Sequence, residues 1–184
     1  GECSYIRDIP ALQFEDSLVF DKNITFFVGE NGVIQKYANM GIDGFRLDVA
    51  DELSDGFIEK IKSTLSQSKA YNILYGEVWE DASNKIAYST RKRYYLGAEL
   101  DGVMNYPVRS GIIDYLTEKR TDQLNYALRE VTINAPARIM HAQMNLLGTH
   151  DTERILTVLG SDKSENLTNA EISKKRMTKE QRDL

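Results

Sequence analysis

The sequence predicts an α/β domain built on a parallel sheet. Two observations carry this. Short apolar runs alternate with helical patterns along most of the chain. Three of its segments, GFRLDVADE (44–52), YGEVWED (75–81) and LLGTHDTERI (146–155), each join an apolar run to a carboxylate at or just past its end. Strands feeding one site at the end of a parallel sheet should look this way. Asp48 and Glu77 lie about 30 residues apart, the length of one strand-plus-helix unit. Glu77 and Asp151 lie roughly 75 residues apart, which leaves room for two such units and a long connection.

The elements follow in order. Residues 1–30 read as irregular, with an aromatic pair at Phe26-Phe27. A helix is expected from an Asn31 cap through Val33, Ile34, Tyr37 and Met40, with Gly41 ending it in the left-handed conformation. Phe45, Leu47 and Val49 alternate with Arg46 and Asp48, a strand that places Arg46 and Asp48 on one face. Ser54 caps the next helix, to about Lys69, whose apolar stripe is Phe57, Ile58, Ile61 and Leu65. Ile73 to Trp79 is the second strand, with Leu74 and Val78 toward the helices and Tyr75 and Glu77 on the opposite face. Residues 80–98 form a long charged connection. A third strand runs from Leu100 to Tyr106 and ends at Pro107. Two helices follow, over about 108–118 and 121–133, striped by Ile112, Ile113 and Leu116 and by Leu124, Leu128 and Val131. Gln143 to Gly148 is a fourth strand. Thr168 and Glu171 form a capping box that opens a last helix.

Composition excludes several function classes. A chain of 184 residues with 41% hydrophobic content can bury a real core. A net charge of −5 argues against nucleic acid, which needs a basic face. No run reaches the roughly 20 apolar residues of a membrane span. Cys3 is the sole cysteine, so no internal disulfide forms. No signal peptide is visible, which points to the cytoplasm, and a start at Gly1 reads as an excised or truncated piece.

The three segments, in this order and spacing, resemble the conserved regions of the α-amylase family of glycoside hydrolases (family 13). VMNYP (103–107) and DASNKI (81–86) add to the likeness. It extends from about Ile9 to Gly160. The branch most similar is that of neopullulanases and cyclomaltodextrinases, where an MPKLN-like segment is loosely matched by Ile9-Pro10-Ala11-Leu12-Gln13. The resemblance implies an eight-stranded (β/α) TIM barrel. Residues 1–184 would be one partial catalytic barrel of about four β/α units, roughly strands four to seven. Both edges of its sheet would then be unpaired, which invites self-association.

The resemblance also implies the chemistry, retaining cleavage of α-1,4 bonds in starch-like α-glucans and maltooligosaccharides, with α-1,6 bonds left open. Asp48 is the implied nucleophile and Glu77 the acid/base, the latter expected in apolar surroundings that favour the protonated acid. Asp151 would stabilise the oxocarbenium-like transition state. Arg46 would keep Asp48 ionised, His150 would bond the sugar before the cleaved bond, and Trp79 and Glu52 would line the side past it. Blander readings stand beside these: Trp79 as core, His150 with Asp151 as a helix-capping pair, Asn105 and Tyr106 as packing. No metal or other cofactor is expected. In many calcium-dependent relatives a histidine stands four residues past the nucleophile, and here that position is Glu52. Calcium stays open for a longer parent. The alternative function is an inert or binding-only fragment of such an enzyme. A metal-dependent α/β enzyme is disfavoured because histidine and cysteine ligand spacing is absent.

Overall fold

The computed structural model describes residues 17–67, 73–160 and the single position 179. Three parallel strands set the frame: β1 (Gly44–Leu47), β2 (Ile73–Gly76) and β5 (Gly102–Val103), side by side in that order. Phe45 pairs with Leu74, Arg46 with Tyr75 and Leu47 with Gly76, and Gly76 in turn pairs with Val103. Side chains alternate along a strand, so paired positions in a parallel sheet point the same way. Leu74, fully buried, faces the helices together with Phe45 and Leu47, which pack against the same core. Arg46 and Tyr75 take the opposite face, as expected from the sequence.

Helices α1 (Ser17–Val28), α2 (Val33–Asn39) and α3 (Asp55–Gln67) cover the first face. The helix α1 replaces the irregular segment expected there. Its Ile24, Thr25 and Val28 are weak helix formers, but Phe27 meets Phe57 of α3 edge-on at 5.4 Å and 69°, and packing outweighs propensity. The helix α2 begins later than anticipated, with Gly32 and not Asn31 at its cap. Gly41 follows it at φ +89°, the left-handed turn foreseen for that glycine. Ser54 does cap α3, its Oγ accepting from the Phe57 N–H at 3.3 Å. The stripe Phe57, Ile58, Ile61 and Leu65 is buried in full. Together with Leu74, Val78, Tyr94, Leu100 and Val103 it makes the core. The expected extension of α3 to Lys69 lies outside the described residues.

Downstream the strands are shorter than the sequence suggested. Both Asp48 and Glu77–Trp79 lie beyond strand ends rather than within them. The third strand stops at Val103, because Asn105 caps α4 (Tyr106–Glu118) through the Val108 N–H at 3.4 Å. Pro107 therefore sits in the first helical turn, where its missing N–H costs nothing. Helix α5 (Asp122–Asn134) packs on α4 around Ile113 and Ala127, whereas Leu116 and Leu128 of the expected stripes are exposed. Two short helices, α6 (Ala137–His141) and α7 (Ile155–Gly160), were not foreseen.

The fourth strand, Gln143–Gly148, reduces to a single parallel bridge between Met104 and Met144. Past it, Asn145 and the Leu147 carbonyl turn aside to accept from Asn105 Nδ2 at 3.0 Å and Arg109 Nε at 3.0 Å. The connection 80–98 also holds an unforeseen antiparallel ribbon of β3 (Ile86–Ala87) and β4 (Thr90–Arg91). Among the described residues β1 pairs only on its β2 side, and no helix is long and apolar enough to cross a membrane. Ile9–Gln13, Cys3 and the capping box at Thr168 lie outside the described residues.

Candidate active site

Register builds the centre. Asp48 and Glu77 each follow directly on the paired residues Leu47 and Gly76, so two carboxylates leave neighbouring strands at one level. The Glu77 N–H donates to the Leu47 carbonyl at 2.9 Å, and the Ala50 N–H to the Glu77 carbonyl at 3.2 Å, which extends the ladder past the strand ends. Gly76 permits this closeness. A Cβ built there would stand 2.5 Å from Leu100 Cδ1 and 3.2 Å from the Ala50 Cβ.

Arg46 joins the two acids. Its Nη1 donates to Asp48 Oδ1, and its Nη2 lies 3.1 Å from Glu77 Oε2. The second contact is a charge pair and not a hydrogen bond, for Nη2 is buried with no hydrogen-bond partner among the described residues. The Nε–H points to Met104 Sδ at 3.3 Å. The two acids differ in setting. The Asp48 side chain is 67% exposed, that of Glu77 only 7%.

Glu77 does not sit in the apolar surroundings expected of it. The Val49 N–H donates to Oε2 at 2.8 Å and Trp79 Nε1 to Oε1 at 3.1 Å. Val49 presents its N–H this way in a left-handed conformation, φ +45°, which a β-branched residue rarely adopts. Trp79 is half-exposed and lies flat on Tyr106, with centroids 4.0 Å apart and planes 8° from parallel. One indole face is thus packed and the other edge hydrogen-bonded, so neither sequence reading of Trp79 describes it alone.

The third acidic segment reaches the centre through Tyr106, whose hydroxyl lies 3.5 Å from Thr149 Oγ1. Thr149 and Thr152 shape the turn: Thr152 Oγ1 accepts from the Thr149 N–H at 2.9 Å, and Thr149 Oγ1 from the Asp151 N–H at 3.2 Å. Asp151 Oδ2 lies 3.1 Å from His150 Nε2, and both side chains are exposed. Glu52 instead accepts a hydrogen bond from the Tyr88 hydroxyl. The structure therefore gathers Arg46, Asp48, Glu77 and Trp79 directly. Among the described residues no hydrogen bond or ion pair links Asp151, His150 or Glu52 to Asp48 or Glu77. No group of three His, Cys, Asp or Glu side chains is gathered to hold a metal among them either.

Behind the site the charges interlock. Asp51 accepts from the Tyr94 hydroxyl at 2.8 Å and pairs with Lys85 at 3.1 Å. Burial pushes the Tyr94 hydroxyl far up, and the bond to Asp51 adds to it. Burial opposes the Lys85 charge, but the carboxylates of Glu80 and Asp51 outweigh it and raise its pKa. Burial also pushes Tyr95 up to about 12, against the Gln143 amide, which donates to its hydroxyl at 3.0 Å. Sequence reasoning missed Tyr88 and the Val49 N–H. Neither carries a signal, since an exposed tyrosine and a backbone amide look ordinary in a sequence.

The family described as Alpha amylase, catalytic domain, matches residues 22–179. This chain belongs to the α-amylase catalytic-domain family. A cyclomaltodextrinase of Thermoanaerobacter pseudethanolicus is 32% identical to it over 140 residues, covering 70% of this chain and 23% of that protein. An amylopullulanase of Thermoanaerobacter thermohydrosulfuricus is 30% identical over 168 residues, or 81% of this chain and 11% of that one. Among solved structures, a cyclic α-maltosyl-(1→6)-maltose hydrolase from Arthrobacter globiformis in complex with maltose matches with a TM-score of 0.65. It is 25% identical, over 81% of this chain and 31% of the other. A cyclomaltodextrinase matches with a TM-score of 0.64 and 28% identity, over 81% and 23%. The α-amylase fold is the (β/α)8 barrel, and this chain is a partial α/β piece of it, spanning less than a third of each relative named here.

Proposed function

We propose that the protein works as a retaining α-glucan hydrolase, cutting α-1,4 bonds in maltooligosaccharides, with α-1,6 as the alternative linkage. The observation that carries this is the guanidinium of Arg46 set between two carboxylates that leave adjacent parallel strands at one level. Relatives named cyclomaltodextrinase and amylopullulanase support the substrate class.

In this mechanism an Asp48 oxygen attacks the anomeric carbon as the bond to the leaving oxygen breaks. Glu77, acting as general acid, gives a proton to that oxygen. Water then attacks the glycosyl ester on Asp48 and loses its proton to Glu77, which frees the nucleophile. Negative charge thus moves from Asp48 to Glu77 and back during one turnover. Arg46 touches both, so one cation serves whichever acid is charged, with no rearrangement of the site. Asp151 would steady the positive charge of the sugar ring, and His150 its hydroxyls. Trp79 would both fix Glu77 and border the sugar past the cleaved bond, and Glu52 would line that side with it. These steps are proton and ester chemistry and use no metal or cofactor.

A second reading is binding without turnover. The exposure of Asp48 favours it, since an open nucleophile is not shielded from water. Hydrolysis of a fluorogenic maltooligosaccharide by this chain and its Asp48→Asn variant separates the two. Release that disappears in the variant supports the enzyme. No release from a folded chain that still binds the sugar supports the binding module.

A further inference from the structure

The ribbon of β3 and β4 is fastened twice at its base to the segment that follows Asp48. At its base Lys85 pairs with Asp51 at 3.1 Å. Across the same base, where its N–H donates to the Lys85 carbonyl at 2.9 Å, Lys92 is almost fully buried and donates from Nζ to the Leu53 carbonyl at 2.9 Å and to Asp55 at 3.2 Å. Tyr94 then ties on to Asp51. Such anchoring is heavy for a surface turn. At the tip, Tyr88 and Ser89 both adopt left-handed conformations, φ +51° and +61°. Asparagine and glycine are the usual residues of such a two-residue turn, and a bulky side chain there is strained. Strain held at one aromatic residue points to a use for that residue.

Tyr88 is 60% exposed, yet its hydroxyl is pinned by the Glu52 carboxylate. The Glu52 N–H donates to the Val49 carbonyl at 2.9 Å, and the Val49 N–H holds Glu77. An unbroken chain of bonds therefore runs from the buried acid of the site to the exposed residue Tyr88. A tyrosine fixed by its hydroxyl keeps a flat apolar face at little entropic cost, which suits stacking against the C–H face of a pyranose.

We propose that Tyr88 is a sugar platform, stacking on a glucosyl unit of the α-glucan at the Glu52 side of the site and setting chain-length preference. This rests on the α-glucan reading of the site and adds a residue to it. The test is calorimetric titration with maltohexaose in an Asp48→Asn background, which blocks turnover, with Tyr88→Ala, Tyr88→Phe and Tyr88→Trp added singly. Stacking predicts that Tyr88→Ala weakens binding about tenfold. Tyr88→Phe and Tyr88→Trp, which keep a ring, should stay within about threefold of the parent. A role confined to fastening the ribbon predicts instead that Tyr88→Phe, which loses the bond to Glu52, is as damaging as Tyr88→Ala. That result, or an unchanged Tyr88→Ala, overturns the platform while leaving the α-glucan reading intact. A folded Asp48→Asn chain that binds no maltohexaose overturns both.

Discussion

Glu99 should make this protein lose stability as pH rises from about 4.5 to 7, and Glu99→Gln should abolish that loss. The carboxyl is fully buried, and neither oxygen finds a hydrogen bond among the described residues. Its nearest cation, Arg93, is 3.6 Å away from Oε1. Burial, helped by the nearby Asp55 charge, pushes its pKa from the ordinary 4.5 to about 7, with Arg93 opposing. Between those values the folded chain holds a proton that the unfolded chain has released, so stability must fall with rising pH. A shift of that size corresponds to about 3 kcal/mol once both states are ionised, at about 1.36 kcal/mol per pH unit. The amide that replaces the carboxyl in Glu99→Gln would be neutral throughout. Urea unfolding followed by far-ultraviolet circular dichroism, at intervals from pH 5 to pH 8, reads both curves. We expect the two proteins to be close at pH 5 and the variant ahead by about 2–3 kcal/mol at pH 8. Parallel curves would refute the argument, because they would place the titration elsewhere.

Three further outcomes follow from the contacts around the site. Gly76→Ala should cost about 1–3 kcal/mol in thermal or urea unfolding, since its Cβ would stand 2.5 Å from the fully buried Leu100. Lys92→Met should cost about 2–4 kcal/mol by the same measurement, because it leaves Asp55 without its buried partner and the Leu53 carbonyl without its donor. Arg46→Lys keeps the charge but not a fork that can meet two carboxylates. Its turnover of a fluorogenic maltooligosaccharide should fall about 100-fold while its melting temperature moves by a few degrees.

The centre of the site was legible because strand physics is simple. An apolar run with period two that ends in a carboxylate projects that carboxylate at the sheet's rim, and Asp48 and Glu77 obeyed this. The α3 stripe was legible for the same reason at helical spacing. Other features depend on partners far away in the chain. The helix α1 forms on Phe57 and its neighbours rather than on its own propensity. The ribbon lacks the Asn-Gly signal of a tight turn, because Tyr88 and Ser89 are held left-handed by contacts around them. The polar surroundings of Glu77 were not legible because its donors are the Val49 backbone N–H and the Trp79 indole, with the Arg46 charge arriving from the preceding strand. The segment after Met144 looked like a strand in composition but turns aside to Asn105 and Arg109.

Trp79 is the sole tryptophan of the chain, and it lies on Tyr106 with its N–H on Glu77. The intrinsic emission of this protein is therefore a local optical signal. It should respond when Glu77 changes charge or when the stack opens, while the packing of α3 against the sheet stays silent. A denaturation curve taken by fluorescence would then describe the rim of the sheet, and one taken by dichroism its helices. Any gap between the two midpoints would measure how far the edge bearing Glu77 loosens before the rest lets go.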